Sequence, residues 1–118
     1  MDNYPQRRGR TTIAPDVLVT IARLSALGVP GVAGLSPIPG GVDQFFKGGQ
    51  NEGVRIVVKG LAVGVDLYLV TQRDISMRDV ARNVQAEVSR SIQDIVGMDV
   101  LYVNVHIEDV DFQGEKTY

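Results

Sequence analysis

The spacing of apolar and polar positions changes period several times along the chain, and each change predicts an element. Pro15 presets φ for a first helical turn, and apolar residues then recur at Val17, Ile21 and Leu24, with Leu18, Ala22 and Leu27 widening the stripe. Asp16, Thr20 and Arg23 fall on the outward side. Gly28 stands where a C′ residue closes a helix, and Pro30 forbids continuation. Short strands are predicted at Arg10 to Ile13, before this helix, and at Val32 to Leu35, after it.

Alternation returns beyond Gly53. Val54, Ile56 and Val58 interleave with Arg55 and Lys59, and Val63, Val65, Leu67 and Leu69 interleave with Gly64, Asp66 and Tyr68, which predicts an antiparallel hairpin turning near Gly60. Ser76 followed by Asp79 resembles a capping box with a shortened acid, and a helical stripe follows through Met77, Val80, Ala81, Val84, Val88, Ile92, Ile95 and Val96. Its valines lower helix propensity, so packing must hold it. Gly97 is expected to end it in the left-handed conformation.

The last segment alternates with Leu101, Val103, Val105 and Ile107 inward and Tyr102, Asn104, His106 and Glu108 outward, after which Asp109 falls on the apolar side. A bulge near Glu108 would restore the phase. Because strand, helix and strand in sequence favour a right-handed crossover, the last strand is expected parallel to the one containing Val65. The predicted fold class is α+β: a two-layer sandwich of a mixed β-sheet with three to four main strands and two amphipathic helices on one face. Residues 1–9 are read as a tail, residues 10–112 as a single domain with a glycine-rich loop at 36–53, and residues 113–118 as a second tail.

Composition narrows the function classes. The chain of 118 residues is long enough for one core, contains no cysteine and so relies on packing without disulfides or thiolate metal sites, and carries a formal net charge of -2. An acidic balance argues against a phosphate-binding surface, and Arg7, Arg8 and Arg10 form only a small cluster at the N-terminus. The lack of cysteine suits a reducing cytoplasm, and since no apolar run is long enough to span a bilayer and no signal peptide is recognisable, any association with the inner face of the membrane is expected to be peripheral or through a partner.

Candidate chemistry is sparse. His106 and Glu108 share one side of a strand but lack the further ligands of a metal centre, and Ser76 is engaged as a cap with no accompanying triad. The glycines at 48, 49 and 53 lack the Lys-Ser/Thr ending of a P-loop, and Gly28 to Gly31 matches the KH loop pattern without basic residues. No catalytic residue, metal or cofactor is assigned. The candidate interaction residues are Phe45 and Phe46 in the long loop, which could anchor a partner or a membrane interface or cap the core, and Tyr68, Tyr102 and His106 on the sheet face that the helices leave open. With Arg55 and Lys59, that face could also serve a nucleic-acid-binding module, the runner-up reading; a small enzyme or sensor around His106 and Glu108 ranks lowest.

Taken in order, Ile13-Ala14-Pro15-Asp16-Val17, Val29-Pro30-Gly31-Val32, Gly53-Val54, Val65-Asp66-Leu67, Val84-Gln85 with Val88, Gly97 with Val100, and Val103-Asn104-Val105 resemble the bacterial alkaline shock protein and general stress protein family, also described as envelope stress response proteins. The resemblance spans nearly the whole chain. It implies a small cytoplasmic α+β protein without known catalysis, self-associating as a homo-oligomer, and in some members held near the membrane by an anchored partner. The sequence departs from the family pattern after the hairpin, where Thr71-Gln72-Arg73-Asp74 stands in place of the Tyr-Gly step of many members.

Overall fold

The computed structural model describes residues 9–39 and 53–112. Helix α1 (Pro15–Leu27) leads into β1 (Val32–Leu35); β2 (Val54–Lys59) and β3 (Ala62–Gln72) form a hairpin; α2 (Met77–Ser91) continues into a π-helical turn (Ile92–Val96), and β4 (Asp99–Asp111) closes the chain. The four strands form one mixed sheet: β1 and β2 run antiparallel to β3, and β4 runs parallel to it. Both helices lie on one face, α1 over β1 and β2 and α2 over β4. The expected two-layer α+β architecture is therefore present, including the parallel last strand. Residues 10–13, expected as a strand, are irregular, because no neighbouring strand pairs with them.

Strand β3 is the centre of the sheet. Since β4 occupies one of its edges along the whole length, β1 and β2 share the other, β1 opposite residues 69–71 and β2 opposite residues 62–67. They meet at Tyr68. Its carbonyl accepts the Ser36 N–H at 2.8 Å and its N–H donates to the Gly53 carbonyl at 2.9 Å, so two residues far apart in sequence supply the one donor and one acceptor a single strand residue would give. The long connection thus leaves and re-enters one edge strand at a single point. Phe45 and Phe46 lie outside the described residues.

The core is one cluster in which Val84 and Val88 of α2, Leu18 and Ala22 of α1, Val65, Leu67 and Leu69 of β3, and Val103 of β4 pack together. In α1 the buried positions are Leu18, Val19, Ala22 and Ala26, whereas Val17, Leu24 and Leu27 are exposed. The expected stripe was centred on the wrong side. Two alanines, with no side chain beyond Cβ, let this helix sit close to β1 and β2, and that approach outweighs the larger residues on the flank. Gly28 ends α1 in a right-handed conformation (φ -80°), its N–H bonded to the Leu24 carbonyl; the left-handed turn comes at Gly31.

Ser76 caps α2 by accepting the Asp79 N–H at 3.3 Å, and Val80, Val84, Val88 and Ile92 are buried as the pattern requires. Met77 and Ile95 are exposed instead. Met77 sits in the first turn of the helix. Ile95 falls in the π-helical turn, whose wider winding rotates it off the buried stripe and brings Val96 against the core, before Gly97 (φ 81°) ends the helix.

Strand β4 carries the expected bulge, since Ile107 pairs with Leu69 and Asp109 with Val70, leaving Glu108 as the extra residue. A second irregularity was not expected. Val100 pairs with Val63 and Tyr102 with Gly64, so Leu101 is extruded and exposed while Val100 packs on the core in its place.

Thr71 gives the fold a local test. It is fully buried, and its Oγ1 has no hydrogen-bond partner among the described residues. A buried hydroxyl without an acceptor costs stability, so Thr71→Val, nearly isosteric, is expected to stabilise the protein by about 1 kcal/mol. A urea titration checks this as a raised midpoint at unchanged slope.

Candidate functional site

The helix-free face of the sheet gathers the polar and aromatic residues of β3 and β4. Alternation puts Gly64, Asp66 and Tyr68 on this side of β3, and parallel pairing sets Tyr102, Asn104 and His106 directly beside them. Tyr68 and His106 stack with centroids 4.5 Å apart and planes inclined by 12°. The Asp66 carboxylate accepts the Asn104 Nδ2–H at 3.2 Å and lies 3.1 Å from His106 Nε2. Tyr102 lies across Gly64; a Cβ there would come within 2.2 Å of its ring, so glycine is what allows the ring to lie flat on the sheet.

Three of the residues read from sequence are thus brought onto one surface, Tyr68, Tyr102 and His106. The carboxylate partner of His106 was expected to be Glu108, but the bulge removes Glu108 from the alternation and Asp66 of the neighbouring strand takes that position. Asp66 was missed as a site residue. Its signal was its outward place on β3, readable only with the β3–β4 register in hand. Arg55 lies opposite Asp66 on β2, and its Nε is buried without a hydrogen-bond partner among the described residues.

This surface is a layer of side chains on a sheet, contributed among the described residues by two neighbouring strands. A cavity of about 420 Å³ lies at the other end of the strands, among Thr11, Ile13, Leu18, Val58, Leu61 and Met98, and none of its lining residues is ionisable. Along β3 it is roughly 20 Å from Tyr68. Among the described residues, no group of three His, Asp or Glu side chains gathers as a metal site requires, and no helix is long and apolar enough to cross a membrane.

Known proteins agree with this picture of the fold. Two MamM CTD variants solved in their zinc forms superpose with TM-scores of 0.59, at 15% and 16% identity, covering 82% and 87% of this chain and 87% and 92% of theirs. At such identity the likeness concerns the fold alone. In sequence, the chain is 28% identical to the uncharacterized protein YqhY of Bacillus subtilis over 95% of its own length and 84% of the relative's. It is 26% identical to Spy1614 of Streptococcus pyogenes serotype M6, over 92% of this chain and 93% of that one. The profile that matches residues 3–112 takes in every element from α1 to β4, and with it the resemblance holds: the chain belongs to the alkaline shock protein family, described by a cell envelope-related function.

Proposed function

We propose that the protein is a non-enzymatic interaction module of the cell envelope, working from the cytoplasmic side of the membrane, that self-associates through its sheet and docks a membrane-anchored partner. The observation that carries this reading is the separation of features. The polar cluster of Asp66, Asn104 and His106 sits on the sheet face that neither described helix covers, whereas the cavity among Thr11, Ile13, Leu18, Val58, Leu61 and Met98 has no ionisable lining and lies at the far end. Catalysis requires reactive groups convergent on an enclosed space, and a sheet face with aromatic residues suits protein contact.

The nucleic-acid alternative is less well supported. One side of the Tyr68 ring is taken by His106 and one side of Tyr102 by Gly64, and the Asp66 carboxylate lies between them where a phosphate would have to approach.

Light scattering coupled to size exclusion, over a concentration series, tests self-association. The mass of the native protein is expected to rise above the 12.8 kDa of one chain as concentration increases. Asn104→Arg, which places a charge on the exposed face, is expected to shift that curve by about tenfold in concentration. A native protein that stays monomeric throughout would refute the self-association.

A further inference from the structure

Strand β4 has an edge that no described strand pairs. It spans 13 residues, it is held along its length by β3, and beyond that pairing its outer side ends the sheet. The opposite edge of the sheet is shared by two short strands interrupted at Tyr68, so β4 is the longer continuous edge. Between the extruded residues Leu101 and Glu108 lies a regular window, Tyr102 to Ile107. An edge of this kind offers backbone donors and acceptors to an added strand. Val103's carbonyl is the one acceptor in the window with a side-chain partner in view, accepting from Gln85 at 3.0 Å.

We propose that this edge takes up an extended segment of another protein, apolar or β-branched in its middle and bearing lysine or arginine at both ends, as an additional strand. The inference rests on the reading of the protein as an interaction module and names the chemistry of its partner. Charge carries the argument. The strand has no lysine or arginine, and besides Asp111, which is engaged within the chain, it carries the exposed acids Asp99, Glu108 and Asp109. They flank the window, Asp99 before it and the run from Glu108 after it, about 30 Å apart along the strand. Opposite charges across a strand pair favour it and like charges oppose it.

The same geometry disfavours a second copy at this place. Helix α2 packs over β4, so two copies with helices on one side would bring helix axes within about 5 Å, the strand spacing, where packed helices need about 8–10 Å. Turned over, two β4 strands would run parallel with acid beside acid. The basic residues of β2, Arg55 and Lys59, are only about 13 Å apart and cannot reach both acidic ends. A partner anchored in the membrane meets the requirement directly, because cytoplasmic flanks of membrane spans are enriched in lysine and arginine.

The test uses the full chain and three fluorescent peptides of about nine residues: one with Thr and Val alternating between Lys-Arg ends, one with Glu in place of the basic ends, and one basic peptide with a central proline. Binding by anisotropy at low salt is expected for the first alone. The double variant Glu108→Lys with Asp109→Lys should weaken it by about tenfold or more and narrow the preference over the Glu-ended peptide. Hydrogen exchange should show new protection in residues 102–107. No binding of the basic peptide, equal binding of the proline peptide, or protection on other strands would overturn the proposal. So would protection of residues 102–107 that grows with protein concentration when peptide is absent, since a second copy would then be the occupant. A protein that is monomeric and still binds the peptide defeats only the self-association, and an oligomer that ignores the peptide defeats only the strand addition.

Discussion

Gly53→Ala is expected to lower the stability of the protein by about 3 kcal/mol, a fall in Tm on the order of 15 °C for a domain of this size. Two costs combine. Gly53 has φ 91°, a backbone conformation that an L side chain adopts only at about 1–2 kcal/mol. An added Cβ would also stand 2.7 Å from the Ser36 carbonyl oxygen and 2.9 Å from the Leu35 Cβ, atoms fixed in the sheet that cannot swing aside. The position cannot relax without breaking the pairing at Tyr68, because the Gly53 carbonyl is the acceptor for the Tyr68 N–H. Gly60→Ala supplies the control: φ there is 62°, but nothing lies within 4 Å of the added atom, so only the conformational cost of about 1 kcal/mol should remain. Thermal melts of the two variants check the difference, and equal losses would mean that crowding at the strand junction contributes nothing.

That junction also shows why some of the fold was legible in the sequence and some was not. The hairpin, the buried valines of α2 and the parallel final strand follow from local periodicity and the handedness of crossovers, and each is present. The completion of one edge strand by Ser36 and Gly53 follows from no local pattern, since it depends on where β1 ends relative to β3. Helix α1 has apolar residues on more than one side, and only the approach of Ala22 and Ala26 to the sheet decides which side is buried. Ile95 would have stayed on the stripe of an α-helix; the change to π winding, invisible in the residue pattern, moved it.

The candidate site divides in the same way. Tyr68, Tyr102 and His106 could be placed on a common face from alternation alone, but the contacts among them are a matter of register. The second irregularity of β4, at Leu101, sets Tyr102 beside Gly64, Asn104 beside Asp66 and His106 beside Tyr68. A shift of one residue would turn the whole group toward the helices. The bulge at Glu108 was readable because Asp109 broke the apolar phase, whereas the one at Leu101 left leucine on an apparently correct parity and so gave no sign. The cluster around Asp66 therefore depends on an extrusion that only the paired strands reveal.

Replacing each of two leucines by alanine turns that extrusion into a measurement. By alternation Leu67 and Leu101 are equivalent inward residues, yet Leu67 is fully buried at the centre of β3 and Leu101 is 53% exposed. Leu67→Ala removes buried methyl groups amid Leu18, Val65, Val84 and Val103 and leaves a space their backbones hold open, so a loss of about 3–4 kcal/mol is expected. Leu101→Ala deletes atoms that already face solvent and should change stability by no more than about 0.5 kcal/mol. Denaturant unfolding of both variants gives the comparison directly. Were Leu101→Ala to cost as much as Leu67→Ala, the strand would be regular through residue 101, Tyr102 would no longer lie over Gly64, and the face on which self-association is proposed would lose the register that assembles it.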